Sequence, residues 1–227
     1  MGWKASTLII QNPNREANEQ LLQDLGFNHL TKINDEPFDV VIDPRGNRVY
    51  LGTYQNNLII CIPDIPMCLI ENTNTAYKEK LASIFPDSEI CSIVLHSSVN
   101  LWGYAIIING EIVRARAGSS EDGTFIEFGE QLEEEKGLLS KAKKDESGKR
   151  IYEFDDLPDE IFSEDQVGEN FVFSICSRYF GEPLDSVDEL LYDTIMAGYS
   201  YRNIILPDAD DRNKSQKANA KPWWKFW

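Results

Sequence analysis

The chain has 227 residues, of which 42% are hydrophobic and 26% charged, so it can bury a core and is not wholly disordered. Its 38 acidic and 22 basic side chains give a formal net charge of −16, which argues against nucleic-acid binding, because Lys and Arg supply most of the affinity for phosphates. No apolar stretch is long enough to cross a bilayer, and residues 1–7 lack a signal-peptide pattern, so we expect a cytoplasmic protein.

Strand and helix signals alternate in the first half of the chain. Residues 3–11 are apolar and β-rich, and a short amphipathic helix with Leu21, Leu22 and Leu25 is expected to end at Gly26. Turn residues separate three further candidate strands, which are Phe38–Asp43, Arg48–Tyr54 and Leu58–Pro63. A helix is then predicted over Thr75–Phe85, and Pro86 is expected to end it.

The strongest local signal is a hairpin. Ile90–His96 and Leu101–Ile108 read as strands, and Asn109-Gly110 is a two-residue turn into Glu111–Ala117. Alternation places Arg114 and Arg116 on one face of that last strand. Phe125–Phe128 is a further candidate strand.

Helices are expected to dominate the remainder. The predicted helices are Gly129–Ala142, Ser163–Phe180 (capped by Ser163 and stopped at Gly181) and Ser186–Tyr192, and the Lys-rich segment Ala142–Glu153 reads as a loop. The pattern predicts an α+β fold: a mainly antiparallel sheet in residues 1–128, and helices in an acidic segment, residues 129–206, that packs on it within a single domain.

The acidic charge is concentrated in the middle of the chain. Residues 120–189 contain 21 acidic and 7 basic side chains, whereas residues 1–119 contain 13 and 9. One interpretation is a solvated helical face with acidic loops. The other is a surface that docks a basic partner protein or mimics nucleic acid.

Residues 207–227 are predicted to be a disordered, flexible tether that ends in an aromatic motif. Three of the five tryptophans lie in the last five residues, which are Trp223, Trp224, Lys225, Phe226 and Trp227. These side chains could fold back onto the domain, supply hot-spot contacts to a protein partner, or insert at a membrane interface. The tail is the only part of the sequence that suggests a membrane contact.

Evidence for catalysis is weak. His96 ends an apolar strand and Ser97 follows it, so a base and a nucleophile are conceivable there, although a capped polar turn explains the same residues. The four cysteines lie in apolar runs without a C-x-x-C pair, and the two histidines are far apart. We therefore expect reduced thiols, no metal site and no cofactor.

A small polar constellation could bind an anionic ligand. Asn100, Trp102, Arg114 and Arg116 lie on or beside the predicted hairpin with His96, and two arginines and a histidine favour a carboxylate or another anion. The alternative is that Arg114 and Arg116 form surface ion pairs with acids such as Glu121 and Glu127.

Several short segments resemble a bacterial family of uncharacterised cytosolic proteins. They are Met1-Gly2-Trp3-Lys4, Gly52-Thr53-Tyr54, His96-Ser97 with Trp102-Gly103-Tyr104-Ala105, and Gly110-Glu111 with Arg114. The resemblance covers roughly residues 1–200. It implies a bacterial, cytosolic, single-domain protein and assigns no activity or site residue.

The leading hypothesis is a non-enzymatic interaction or regulatory protein with an acidic docking surface and a second contact through the aromatic tail. An immunity or antitoxin-like role would suit the acidic charge, because many targets of such proteins are basic. The alternative is a small-ligand binder or hydrolytic enzyme with a site near His96. A concave pocket that gathers His96, Asn100, Trp102 and Arg114 would favour the alternative.

Overall fold

Apolar strand segments build one large antiparallel sheet, and helices cover both of its faces. The structure is a computed structural model that describes residues 2–73 and 75–205. The strands are β1 (Lys4–Gln11), β2 (Phe27–Asn28), β3 (Thr31–Lys32), β4 (Glu36–Pro37), β5 (Arg48–Tyr54), β6 (Asn57–Cys61), β7 (Glu89–His96), β8 (Leu101–Ile108), β9 (Glu111–Ser119), β10 (Gly123–Gly129), β11 (Ala142–Lys144), β12 (Arg150–Phe154), β13 (Leu157–Ser163), β14 (Ile195–Ser200) and β15 (Asn203–Ile204). The helices are α1 (Glu19–Asp24), α2 (Phe38–Val41), α3 (Ile65–Ile70), α4 (Thr75–Ile84), α5 (Glu133–Leu139) and α6 (Glu164–Phe180). The α+β prediction is confirmed.

The large sheet has the strand order β10-β9-β8-β7-β1-β6-β5-β14-β3, and β4 also pairs with β14. Strand β1 lies in the middle and its residues 5–10 are buried, which explains why this stretch of its sequence is apolar except for Ser6 and Thr7. Strands β11, β12 and β13 form a separate three-stranded sheet, and β15 pairs with β2.

Side-chain alternation divides the core between the two faces of the large sheet. The first face, here called the α6 face, carries Ile9, Ile93 and Tyr104 against α2, α5 and α6. The opposite face, here called the α3 face, carries residues such as Leu8 and Ile90 against α1, α3 and α4. The result is a three-layer arrangement with the sheet in the middle.

Helix α6 has the predicted boundaries. Its N-cap is Ser163, whose backbone N–H donates to the Gln166 side chain over 2.9 Å, and its C-cap is Gly181 with φ +82°. The helix packs closely on the sheet at Gly168, where an added Cβ would lie 1.9 Å from Trp102 Cδ1.

Three element predictions are wrong. Residues 38–43 do not form a strand, because Phe38 and Val41 are both buried at helical spacing in α2 while Val40 is exposed. The predicted loop 142–153 contains β11 and β12, joined by a turn in which Asp145 accepts hydrogen bonds from the Ser147 and Lys149 N–H groups.

The third error concerns residues 186–192. This segment contains the end of a 3₁₀ turn (Leu184–Ser186) and a π-helical segment (Glu189–Asp193) instead of an α-helix. In addition, strands continue beyond residue 128, and β14 inserts between β5 and β3. Many of the acidic residues of 129–206 therefore lie on hairpins, not on helices.

Candidate functional site

The sheet register separates the predicted polar constellation. Arg116 lies opposite Tyr104 in the β8–β9 pair, and both face α6, as does Trp102. His96 lies opposite Lys4 in the β1–β7 pair, on the α3 face. The structure therefore does not form a pocket that gathers His96 with Trp102, Arg114 and Arg116.

The ion-pair hypothesis placed Arg114 and Arg116 at the surface, and this is wrong. Both are buried, and the fully buried Glu135 carboxylate accepts hydrogen bonds from Arg114 Nε at 3.1 Å and Nη2 at 2.7 Å. Arg116 donates to Glu164, and its Nη1 lies 3.7 Å from Glu135 Oε1. Glu127 was correctly named as a neighbour, with an oxygen 3.8 Å from Arg114 Nη2.

Aromatic rings complete the surroundings of Arg116. Its guanidinium lies 4.3 Å from the Phe171 ring centre and 5.3 Å from that of Trp102, and these two rings stack on each other. Trp102 is buried and is a core residue between the sheet and α6. The two arginines and Trp102 thus hold α5 and α6 on the sheet and are not available to a ligand.

Ser97 and Asn100 also have structural roles. The Ser97 hydroxyl donates to the Trp3 carbonyl at 2.9 Å and lies 3.1 Å from a Glu169 carboxylate oxygen, while Asn100 Nδ2 donates to Asp165 at 2.8 Å. These bonds fix the 3₁₀ turn between β7 and β8 against α6. Burial raises the pKa of the Glu169 carboxyl, and the Ser97 hydrogen bond partly offsets this.

His96 lines a cleft of about 450 Å³, here called the His96 cleft. Its charged lining residues come from three places: Lys4 at the start of β1, Asp43 and Arg45 in the turn after α2, and Asp64 before α3. Its apolar walls include Pro44, Pro63, Met67, Val94 and Leu101. The serine next to the imidazole is Ser98, whose hydroxyl lies 3.0 Å from His96 Nδ1, and not Ser97 as the sequence suggested.

Burial shifts two titratable groups of the cleft in opposite directions. Burial and the positive charge of Lys4 lower the pKa of His96, which favours the neutral imidazole. Burial raises the pKa of the Asp43 carboxyl, although Arg45, Lys4 and His96 partly offset this. Each group therefore lies in an environment that disfavours its charged form.

Lys4, Asp43 and Arg45 were not predicted as site residues. The sequence predicts Asp43 as the end of a strand and Arg45 as part of the turn 44–47, and no local pattern places Lys4 beside His96. The pairing of β1 with β7 is the signal that would have placed Lys4 there.

Among residues 2–73 and 75–205, no group of three or more His, Cys, Asp or Glu side chains could hold a metal ion. No helix within the same ranges is both long and apolar enough to cross a membrane. The predicted partner-binding residues 223–227 lie outside the described residues.

The architecture is that of an α+β protein with helices on both faces of a large antiparallel sheet. A family model described as a family of unknown function, DUF6928, matches residues 9–155, so the chain belongs to that family. The match includes the β7–β10 strands, Asp43, Arg45 and His96. No curated protein and no solved structure matches the chain.

Proposed function

We propose that this protein is a non-enzymatic interaction protein that docks a basic partner protein on an acidic surface around β13. The tail motif at residues 223–227 would provide a second contact, because two linked weak sites reach a useful combined affinity. A regulatory role of the immunity or antitoxin type fits this proposal.

The observation that carries the proposal is the exposure of β13. The strand lies at the edge of the three-stranded sheet and pairs with β12 on one side. Six of its seven residues are exposed, including the apolar side chains of Leu157 (42% exposed) and Ile161 (64% exposed). A free strand edge with apolar side chains can accept an added strand from a partner.

The charge around β13 indicates the chemistry of that partner. Residues 153–165 contain seven acidic side chains and no Lys or Arg. Pairing β13 with the same strand of a second copy would place Asp159 and Glu160 near like charges, which is unfavourable. A strand that alternates basic and apolar residues would instead pair its cations with these acids and cover Ile161.

The arrangement of the predicted ligand residues also supports an interaction protein over a hydrolase. Arg114 and Arg116 are neutralised by Glu135 and Glu164 inside the core, so they cannot bind an anionic substrate. Ser97 is hydrogen-bonded to the Trp3 carbonyl instead of to His96.

We also infer a bacterial, cytoplasmic protein. The sequence segments that resemble the bacterial family support the first part. The thiols of Cys61, Cys91 and Cys176 support the second, since they are free and buried, as expected in a reducing compartment. Burial raises the pKa of each of them, which keeps the thiols protonated.

The test compares partner capture by matched charge variants. The baits are the full chain, the edge variant Asp159→Lys/Glu160→Lys, and the control Glu79→Lys/Asp87→Lys, which makes the same net charge change at exposed residues on and after α4. We expect basic proteins to be captured by the full chain and the control and lost with the edge variant. Identical protein lists from the three baits would refute the docking surface.

A fourth bait, truncated after Pro207, tests the tail. Weaker capture of the same partner would support a second contact through residues 223–227. Unchanged capture would refute it.

A further inference from the structure

The His96 cleft combines fixed charges of both signs with apolar walls, and neither the core nor the proposed docking surface uses it. We propose that it is a binding site for a small zwitterion that carries a carboxylate, an ammonium group and an aliphatic chain, as an apolar amino acid does.

The cleft is built on rigid backbone. The Ile42 carbonyl accepts hydrogen bonds from the Ser6 N–H at 2.8 Å and from the Thr7 hydroxyl at 3.0 Å, which holds the adjoining Asp43 beside β1. The Ser6 hydroxyl in turn donates to the Ile62 carbonyl at 2.7 Å, where β1 and β6 separate. A site that is formed before the ligand arrives loses little conformational entropy on binding.

Three charged groups of the cleft, those of Lys4, Asp43 and Arg45, form no short contact with other protein groups among the described residues. Within the described residues, the Lys4 ammonium, the Arg45 guanidinium and the Asp43 carboxylate make no hydrogen bond and no salt bridge, although the three groups line one cleft. This contrasts with Arg114 and Arg116 on the opposite face, which are neutralised by internal carboxylates. Polar groups that converge on a cavity without internal partners are typical of a ligand site.

The balance of charge indicates a zwitterion. Lys4 and Arg45 carry formal positive charges and Asp43 and Asp64 carry formal negative charges, so both signs line the same cleft. A ligand of one sign would be attracted by one pair and repelled by the other, whereas a zwitterion satisfies both. A carboxylate would bind Lys4 or Arg45, and an ammonium group would bind Asp43.

The walls and the size of the cleft indicate the remainder of the ligand. Met67, Val94 and Leu101 are all buried residues, and their side chains line the space with aliphatic surface. A volume of about 450 Å³ lies within the range of small-molecule sites and leaves room for a branched aliphatic chain. L-leucine therefore has the required charges and shape.

The experiment is a titration of the full chain with L-leucine, followed by the imidazole signals of His96 in ¹H–¹³C NMR spectra. 4-Methylpentanoate, which lacks the ammonium group, and 3-methylbutylamine, which lacks the carboxylate, serve as matched controls. We expect a saturable shift with L-leucine and at least about tenfold weaker binding of each analogue, because each loses one charge-assisted pair.

Variants assign the contacts. Asp43→Asn should weaken L-leucine binding about tenfold, whereas Asp39→Asn, an exposed aspartate of α2, should leave it unchanged. If Asp43→Asn does not fold, Arg45→Gln against the exposed Arg48→Gln provides a second matched pair. The edge variant of β13 should bind L-leucine like the unmodified chain, which separates this site from the docking surface.

Three results would overturn the inference. One is the absence of a saturable His96 shift with each of the twenty standard amino acids. Another is equal binding of L-leucine and the two singly charged analogues. The third is equal binding by Asp43→Asn and Asp39→Asn when both variants are folded.

Discussion

The substitution Glu135→Gln tests whether the internal carboxylate is needed to keep two arginines buried. Glu135 is fully buried, and its Oε1 accepts from Arg114 Nη2 at 2.7 Å and from the Tyr104 hydroxyl. Burial and the nearby Glu135 side chain raise the pKa of the Tyr104 phenol. Gln keeps the shape of the side chain but removes its negative charge and turns an NH₂ group toward guanidinium donors.

The cost follows from the burial of the partners. Arg114 is 1% exposed and Arg116 is 0% exposed, so water cannot replace the lost carboxylate. Removing one member of a buried ion pair costs about 3–5 kcal/mol, a large part of the ~5–15 kcal/mol by which proteins are stable. In a chain of this size we expect the melting temperature to fall by roughly 10 °C.

Urea unfolding followed by circular dichroism measures this loss. The control is Glu133→Gln, two residues earlier in α5, where the exposed carboxylate pairs with the exposed Lys136. A surface pair of this kind is worth less than about 1 kcal/mol. Equal losses in the two variants, or a loss below about 1 kcal/mol for Glu135→Gln, would contradict the argument.

Three further predictions test other parts of the structure. Gly168→Ala should destabilise the protein by about 1–3 kcal/mol in urea unfolding, because the new Cβ would lie 1.9 Å from an indole carbon of Trp102. The control Gly137→Ala in α5, where a Cβ would meet no atom within 4 Å, should stabilise the protein by about 0.5–1 kcal/mol. The imidazole of His96 should titrate in NMR spectra below the usual value of about 6.5, because burial disfavours its charged form. Burial alone would raise the pKa of Glu89, but the hydrogen bonds it accepts, chiefly from Arg178, lower the pKa by more, so the net shift is downward. The ionised Glu89 carboxylate therefore stabilises the fold above about pH 4.3, and this contribution is lost as the pH falls through the pKa of Glu89 in the folded protein. In the Arg178→Gln variant, the free energy of unfolding should therefore fall less steeply in acid.

Elements whose signals are local were predictable from the sequence. The limits of α6 follow from the capping pair of Ser163 and Gln166 and from Gly181. The β7–β9 strands follow from apolar runs joined by the two-residue turn Asn109-Gly110, and both residues of that turn have positive φ.

Elements that depend on distant partners were not predictable. Strand β14 is held by β5, which lies about 150 residues earlier in the chain, and no local pattern encodes that pairing. Helix α2 has only four residues, and its sequence also fits a strand, because Phe38, Val40 and Ile42 are apolar at alternate positions.

The candidate site divides in the same way. A polar strand end at His96 could be found from the sequence, and the placement of Arg114 and Arg116 on one face followed from alternation. Their main partners, Glu135 and Glu164, reach them through the packing of α5 and α6 on the sheet. No local pattern encodes this packing, and the sequence therefore indicates only nearby acids such as Glu121 and Glu127.

The two faces of the sheet use their charged groups differently, and this gives a general way to separate folding from binding. On the α6 face, Arg114 and Arg116 are fully enclosed with matched carboxylates, so changing any member leaves a buried charge without its partner and lowers stability. On the α3 face, Lys4 and Asp43 are partly exposed and form no salt bridge with another described residue, so their loss costs the fold little. Variants of the first kind should therefore lower the free energy of unfolding, and variants of the second kind should alter ligand binding with little change in stability.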